Sequence, residues 1–156
     1  MEYLYFSIAF TLIHTISYTI AGACALKISG DLYRGKDRLY DFHRDMDDTK
    51  DSHFVTTRFL PVQLLRGALM SLVFLPILPL LPELSPTQLF AFVFGAMFIF
   101  TDLASANPFP HNIEGHVYFK EKYLQREKLP KLYFETVVYS VLVGLSVTLL
   151  VLYMPW

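Results

Sequence analysis

The chain has 156 residues, of which 54% are hydrophobic and 17% charged, and its formal net charge is −1. An average soluble domain carries about 25% charged residues, so this composition excludes a disordered protein. The balanced charge excludes a nucleic-acid binder, because polyanion binding requires a positive field. The single cysteine, Cys24, excludes a disulfide framework and a cysteine-rich zinc site. The class that remains is an integral membrane protein.

Four apolar runs are each long enough to cross a bilayer as a helix. They cover about residues 3–28, 59–81, 84–106 and 132–154. About 20 apolar residues span the hydrocarbon, where the backbone must satisfy its own hydrogen bonds. The sequence therefore predicts an all-α polytopic membrane protein. It forms one domain over residues 1–156, with four transmembrane helices in an antiparallel bundle.

The basic residues predict the orientation of these helices. All 13 lysines and arginines fall within residues 27–66 or 120–131. Positively charged loops stay in the cytoplasm, so we expect both long loops inside and both termini outside. An outer aromatic belt would then contain Tyr3, Tyr5, Tyr153 and Trp156. We expect a prokaryotic plasma membrane, given the compact size and the missing targeting signal.

Each cytoplasmic loop is predicted to hold a short interfacial helix. In the first loop, Leu39, Phe42 and Met46 have the spacing of an amphipathic helix over about residues 37–48. A second short helix is predicted over 117–124. Near the outer end of the second span, proline at position 76 predicts a bend in the helix, because it cannot donate a backbone hydrogen bond.

Charged side chains inside the spans predict an ion pair. Arg66 and Asp102 lie at matching depth in neighbouring helices, each about four or five residues from the inner helix end, or ~6–7 Å at 1.5 Å per residue. Glu135 lies at a similar level in the fourth helix. Charges in lipid are costly unless paired or facing a cavity. We therefore predict an Arg66–Asp102 pair with Glu135 as a third member.

The segment of residues 111–116, His-Asn-Ile-Glu-Gly-His, is the preferred candidate for chemistry, because imidazole and carboxylate transfer protons and bind metals. The candidate catalytic residues are Asp102, Glu114 and His116. The candidate ligand-binding residues are Arg66, Asn107, His111 and Glu135. No metal site is assigned, with His111, Glu114 and His116 as weak candidates, and the sequence does not identify a cofactor.

Two further motifs have ordinary explanations. Residues 47–51 have the DDxxD spacing of magnesium–diphosphate sites, but a loop rich in aspartate produces it by chance, and a solvated loop is favoured. His14 lies in the middle of the first span, where it could relay protons. A hydrogen bond from His14 to a neighbouring hydroxyl is the favoured interpretation.

Three functions remain open from the sequence. Rows of small residues at four-residue steps in the first and fourth spans favour a non-enzymatic accessory or self-associating bundle. Its partners would be the lipid bilayer and a second copy or another protein at the charged loops. The second function is an enzyme acting on a lipid or apolar substrate at the inner leaflet, with Arg66, Asp102 and the 111–116 segment. The third is a proton-coupled transporter.

Overall fold

The structure is a computed structural model that describes residues 1–153, and within that range it is helical without strands. The α-helices are α1 (Glu2–Ile28), α2 (Gly30–Tyr33), α3 (Thr49–Phe74), α4 (Pro86–Gly95), α5 (Gly115–Tyr118) and α6 (Leu129–Tyr153). A 3₁₀ segment, Leu75–Glu83, continues α3, and a π-helical segment, Ala96–Leu103, continues α4. A short 3₁₀ turn, Glu121–Tyr123, precedes α6.

Four helical stretches are long and apolar enough to cross a membrane. They are Glu2–Ile28, Thr49–Glu83, Pro86–Leu103 and Glu121–Tyr153. The prediction of an all-helical protein with four membrane-length helices is confirmed. The predicted end of the fourth span at residue 154 and the belt residue Trp156 lie outside the described residues.

The second span begins earlier than the apolar run predicts. Helix α3 starts at Thr49 rather than near residue 59, because Asp48 caps it. The Asp48 carboxylate accepts hydrogen bonds from the backbone N–H groups of Lys50 and Asp51, which satisfies two of the unpaired donors at a helix start. The first turns of α3 are therefore charged, and the apolar part follows.

Helical geometry changes within the second and third spans. Helix α3 gives way to 3₁₀ structure at Leu75, just before the first of three prolines at positions 76, 79 and 82, because proline cannot donate to the α-helical ladder. The change occurs where the bend was predicted. The π geometry of Ala96–Leu103 adds a residue to each turn, and such turns are frequent at functional sites.

The end of the bundle that contains the Leu75–Glu83 connection, here called the turn end, has an apolar core. The rings of Phe6 and Phe74 lie 6.3 Å apart, and those of Phe10 and Phe74 lie 5.0 Å apart. Helix α1 is the central element, packed on α3 and α6, and α6 also packs on α4. At Gly67, α3 comes so close to α1 that an added Cβ would lie 3.0 Å from Thr11 Cα.

The opposite end, here called the loop end, contains residues 29–48 and 104–128. The predicted helix over 37–48 is wrong, since these residues form turns. Asp45 holds one of these turns by accepting hydrogen bonds from the backbone of Gly35 and Asp47, each at 2.9 Å, and such local bonds compete with helix formation. Tyr40 is fully buried against Leu32 and Leu132, and a regular surface helix would not place it there.

The second predicted interfacial helix, over 117–124, is divided into α5 and the Glu121–Tyr123 turn. Ion pairs join the two loops to each other and to the start of α6. Asp41 accepts from Lys122 at 2.8 Å, and Asp31 accepts from Lys131 at 2.6 Å and from Lys128. The two loops therefore form one cap over the loop end.

Candidate ligand-binding site

A cavity of about 780 Å³ lies within the loop end of the bundle. Its walls come from α1, α3, the π segment, α6 and both loops, so every span contributes to it. Helix α3 and the π segment both line it but make little backbone contact with each other, so the second and third spans are not closely packed there. The volume lies within the range of small-molecule sites, and the lining is mostly apolar with a few polar groups.

Arg66 reaches this cavity from α3. Its guanidinium carbon lies 5.3 Å from the centroid of the Tyr18 ring on α1, a distance suited to a cation–π contact. The predicted Arg66–Asp102 ion pair is wrong: Arg66 appears in no ion pair among the described residues, and Asp102 binds His111 instead. The matching depth expected from the sequence did not pair the two side chains, although both line the cavity.

Asp102 and His111 form a hydrogen-bonded pair at the cavity wall. Nε2 of His111 lies 2.9 and 3.0 Å from the two carboxylate oxygens of Asp102 and donates to them. The Tyr133 hydroxyl donates to the His111 backbone carbonyl at 2.7 Å and holds the segment in place. The second imidazole nitrogen, Nδ1, is buried without a hydrogen-bond partner. A neutral His111 therefore has one lone pair available for a proton.

Asn112 folds the segment that presents His111. Its side-chain oxygen accepts from the backbone N–H of Phe109 at 3.1 Å and of Gly115 at 2.7 Å, and its amide donates to the Asn107 carbonyl at 2.7 Å. A Cβ on Gly115 would lie 1.7 Å from the Phe109 oxygen, so only glycine fits. The sequence interpretation missed this role of Asn112, although an Asx turn after two prolines is a recognisable signal.

Glu135 lines the cavity from α6, near Tyr33 of the first loop. Burial raises the pKa of Tyr33 above its usual value, and the nearby negative charge of Glu135 raises that pKa further. The Tyr18 ring of α1 lines the same cavity beside Arg66. Sequence interpretation missed both tyrosines, because an aromatic residue in or beside a span is more often a packing residue.

Four of the seven site candidates therefore line this cavity, namely Arg66, Asp102, His111 and Glu135. Asn107, Glu114 and His116 are not among its lining residues, and His116 lies at a separate surface depression of about 500 Å³. Within residues 1–153, no three His, Cys, Asp or Glu side chains gather in a way that could hold a metal ion. The structure thus does not assemble the weak metal candidate of His111, Glu114 and His116.

His14 lies beyond the cavity lining, towards the turn end. The Tyr139 hydroxyl donates to His14 Nδ1 at 2.6 Å, and His14 Nε2 donates to the Gln63 side-chain oxygen at 3.2 Å. The predicted hydrogen bond to a hydroxyl is confirmed. Because both ring nitrogens are occupied, His14 joins α1, α3 and α6, and its two partners line the cavity.

The aspartates of the DDxxD-like segment, residues 47–51, make hydrogen bonds to neighbouring parts of the chain. Asp48 caps α3, and Asp51 accepts from the Asp45 backbone at 3.1 Å and from Arg44 at 2.6 Å. The segment therefore forms the capped start of α3 and not the solvated loop that the sequence favoured.

The chain matches no protein-family model, no curated protein and no solved structure.

Proposed function

We propose that the four spans form an antiparallel bundle with both termini on the outer side of a plasma membrane. The contacts of Phe6 with Phe74 and of His14 with Gln63 support opposite directions for α1 and α3. The distribution of all 13 lysines and arginines within 27–66 and 120–131 supports the orientation. A C-terminal fusion to an enzyme that is active only outside the cytoplasm tests it: we expect activity, and an inactive but expressed fusion would contradict it.

We further propose that the cavity binds an amphipathic molecule with an anionic head group, taken from the inner leaflet. The carrying observation is that Arg66, a cation within a span, faces a cavity and has no acidic partner among the described side chains. An unpaired charge at this depth is costly, so a bound anion would stabilise it. The loosely packed region between α3 and the π segment offers a route for acyl chains.

The cavity favours this function over a purely structural bundle. Packing between helices or subunits requires small residues and close contacts, and these occur at Gly67 and Gly144. It does not require a half-open space with a cation on one wall. A transporter that relays protons through His14 receives less support, because His14 is not among the residues that line the cavity.

A membrane enzyme is the second candidate, and the Asp102–His111 pair favours it. A carboxylate that holds one imidazole nitrogen leaves the other as a general base. The test is incubation of the purified protein with a total lipid extract, followed by mass spectrometry. We expect a change in lipid masses that His111→Ala abolishes, and identical lipid profiles with both proteins would contradict catalysis on lipids.

Retention of phospholipid by the purified protein tests the binding function. The protein is extracted in mild detergent and its bound lipids are counted by native mass spectrometry. Arg66→Gln should reduce retained phospholipid about tenfold, because losing a charge-assisted hydrogen bond costs on the order of 1.5–3 kcal/mol. Arg58→Gln is the matched control, since the Arg58 guanidinium covers the Phe54 ring at 3.8 Å and does not line the cavity. Equal retention by both variants would contradict the proposal.

A further inference from the structure

The cavity has opposite charges on walls formed by two different helices. Arg66 approaches from α3, and Glu135 approaches from α6. Neither takes part in an ion pair with another side chain in the described part of the chain. Asp102 adds a second carboxylate, which His111 already binds. The two groups without an ion-pair partner are thus one cation and one anion around the same space.

The cavity is also rich in aromatic rings, of which Tyr18 and Phe59 lie on the Arg66 side and Tyr33 lies near Glu135. The Tyr18 ring stacks on Phe59 with centroids 6.0 Å apart and meets the edge of Tyr139 at 5.7 Å. Tyr33 and Phe109 line the same space. The faces of such rings attract an ammonium group, and the attraction increases where water is excluded. Aromatic rings beside a carboxylate are a suitable environment for a bound ammonium.

A simple anion does not fit this charge distribution well. An anion held by Arg66 would be repelled by the carboxylates of Glu135 and Asp102 in the same cavity. It would also leave Glu135 without a counter-charge at a depth where such charges are costly. A simple cation bound by Glu135 would likewise leave Arg66 without a counter-charge. A ligand that bears both a negative and a positive group would pair with Arg66 and with Glu135.

We infer that the ligand is a zwitterionic lipid, whose phosphate binds Arg66 and whose ammonium group binds Glu135 beside the Tyr33 ring. This inference rests on the proposed function and adds the head-group class to it. A lipid with a phosphate and an ammonium group, such as a phosphoethanolamine head, has the required pair of charges. A phosphoglycerol head has the phosphate alone.

Competition between two lipids tests the inference. The delipidated protein is placed in mixed micelles with equal amounts of phosphatidylethanolamine and phosphatidylglycerol of identical acyl chains, and retained lipid is read by native mass spectrometry. We expect the wild-type protein to retain the ethanolamine lipid about tenfold more, one charge-assisted contact being worth on the order of 1.4 kcal/mol or more. A wild-type preference for the glycerol lipid would overturn the inference.

Single-residue variants distinguish a failure of the zwitterion assignment from a failure of the proposed lipid-binding function. Glu135→Gln should retain phospholipid but lose the preference, giving a ratio near one, whereas Glu83→Gln in the turn-end connection should keep it. A Glu135→Gln ratio equal to that of the wild type overturns the zwitterion assignment and leaves anion binding intact. Arg66→Gln should lose both lipids, and if it retains them the proposed function itself fails. Circular dichroism of each variant verifies that the helices are present.

A water-soluble analogue distinguishes a lipid from a free metabolite with the same head group. Glycerophosphoethanolamine carries both charges but no acyl chains. We expect it to compete at least a hundredfold more weakly than phosphatidylethanolamine, because the apolar cavity walls and the loosely packed region between α3 and the π segment would be left unoccupied. Equal competition by the two compounds would overturn the assignment of a lipid.

Discussion

The two ends of the bundle contain different kinds of side chains in their interiors. The turn end is filled by rings and branched aliphatic side chains, with Phe6, Phe10 and Val147 fully buried. The loop end encloses a cavity with Arg66 and Glu135 on its walls. Packing and polar groups are therefore separated along the helices. Substitutions at the turn end should act on stability, and those at the cavity should act on binding.

His14 stands where the two ends meet. Its bonds to Tyr139 and Gln63 join three helices and close the cavity towards the apolar core. Buried hydrogen bonds of this kind in membrane proteins are worth about 0.6 kcal/mol on average. The cluster contributes to stability but also positions two cavity residues. At this cluster the separation between packing and binding is not complete.

The largest expected effect comes from a substitution that disrupts the loop end. Gly115→Ala places a methyl group 1.7 Å from the Phe109 carbonyl oxygen, so the segment that holds His111 must rearrange. We expect the free energy of unfolding to fall by about 3 kcal/mol, as for other severe steric conflicts, and bound lipid to be lost. Detergent-denaturation curves followed by circular dichroism measure this.

Gly95→Ala is the control for that variant, because an added Cβ at Gly95 meets nothing within 4 Å. It should leave the unfolding curve unchanged or move it slightly towards higher stability, since alanine favours a helix. Equal curves for the two variants would mean that the close approach at Gly115 does not constrain the fold.

The second prediction concerns a substitution that destabilises the turn end and lies outside the cavity. Phe10 is 0% exposed and Phe100 is 77% exposed. Phe10→Ala should lower the free energy of unfolding by about 2 kcal/mol, less than in a soluble core, because in lipid the loss is one of packing rather than of hydrophobic transfer. Lipid retention should stay near the wild-type value in the fraction that remains folded.

Phe100→Ala is its matched control and should change stability by less than about 0.5 kcal/mol, as at other exposed positions. The separation of the two ends would be wrong if Phe10→Ala abolished lipid retention at temperatures where the protein is still fully folded. It would also be wrong if the two phenylalanine variants were equally destabilised.

The four membrane helices were predictable because hydropathy is a local property. The start of α3 was misjudged because the Asp48 cap, and not apolar content, sets it. The Arg66–Asp102 pair was wrong because depth along a helix says nothing about which side of the bundle a residue faces. The actual partner of Asp102, His111, follows a turn built by Asn112 and Gly115, whose contacts cannot be obtained from residue spacing.

The candidate site was predictable only in part, for a similar reason. Charged residues inside spans are conspicuous, so Arg66, Asp102 and Glu135 were selected, and all three line the cavity. The tyrosines beside them were missed because tyrosine is common in packing. Tyr40 was missed too, because its burial depends on loops that meet only in the folded chain.

The smallest expected effect concerns the cap over the cavity and depends on pH. Partial burial tends to raise the pKa of Asp31, but hydrogen bonds from Lys128 and Lys131 outweigh it and hold that pKa below its usual range. A carboxyl with a depressed pKa in the folded state stabilises the fold fully above its unfolded pKa of about 4. That contribution is lost as the pH falls through the lower, folded pKa.

Stability should therefore be compared in wild type and Asp31→Asn from pH 7 to pH 3, which cancels the titration of other carboxyls. The wild type should be more stable by at most about 1 kcal/mol at pH 7, since the ion pair is partly exposed, and the difference should shrink below about pH 4. Asp37→Asn, at an exposed position in the same loop, should show no such difference. A constant gap between wild type and Asp31→Asn at every pH would mean that the Asp31 ion pairs do not hold the cap on α6.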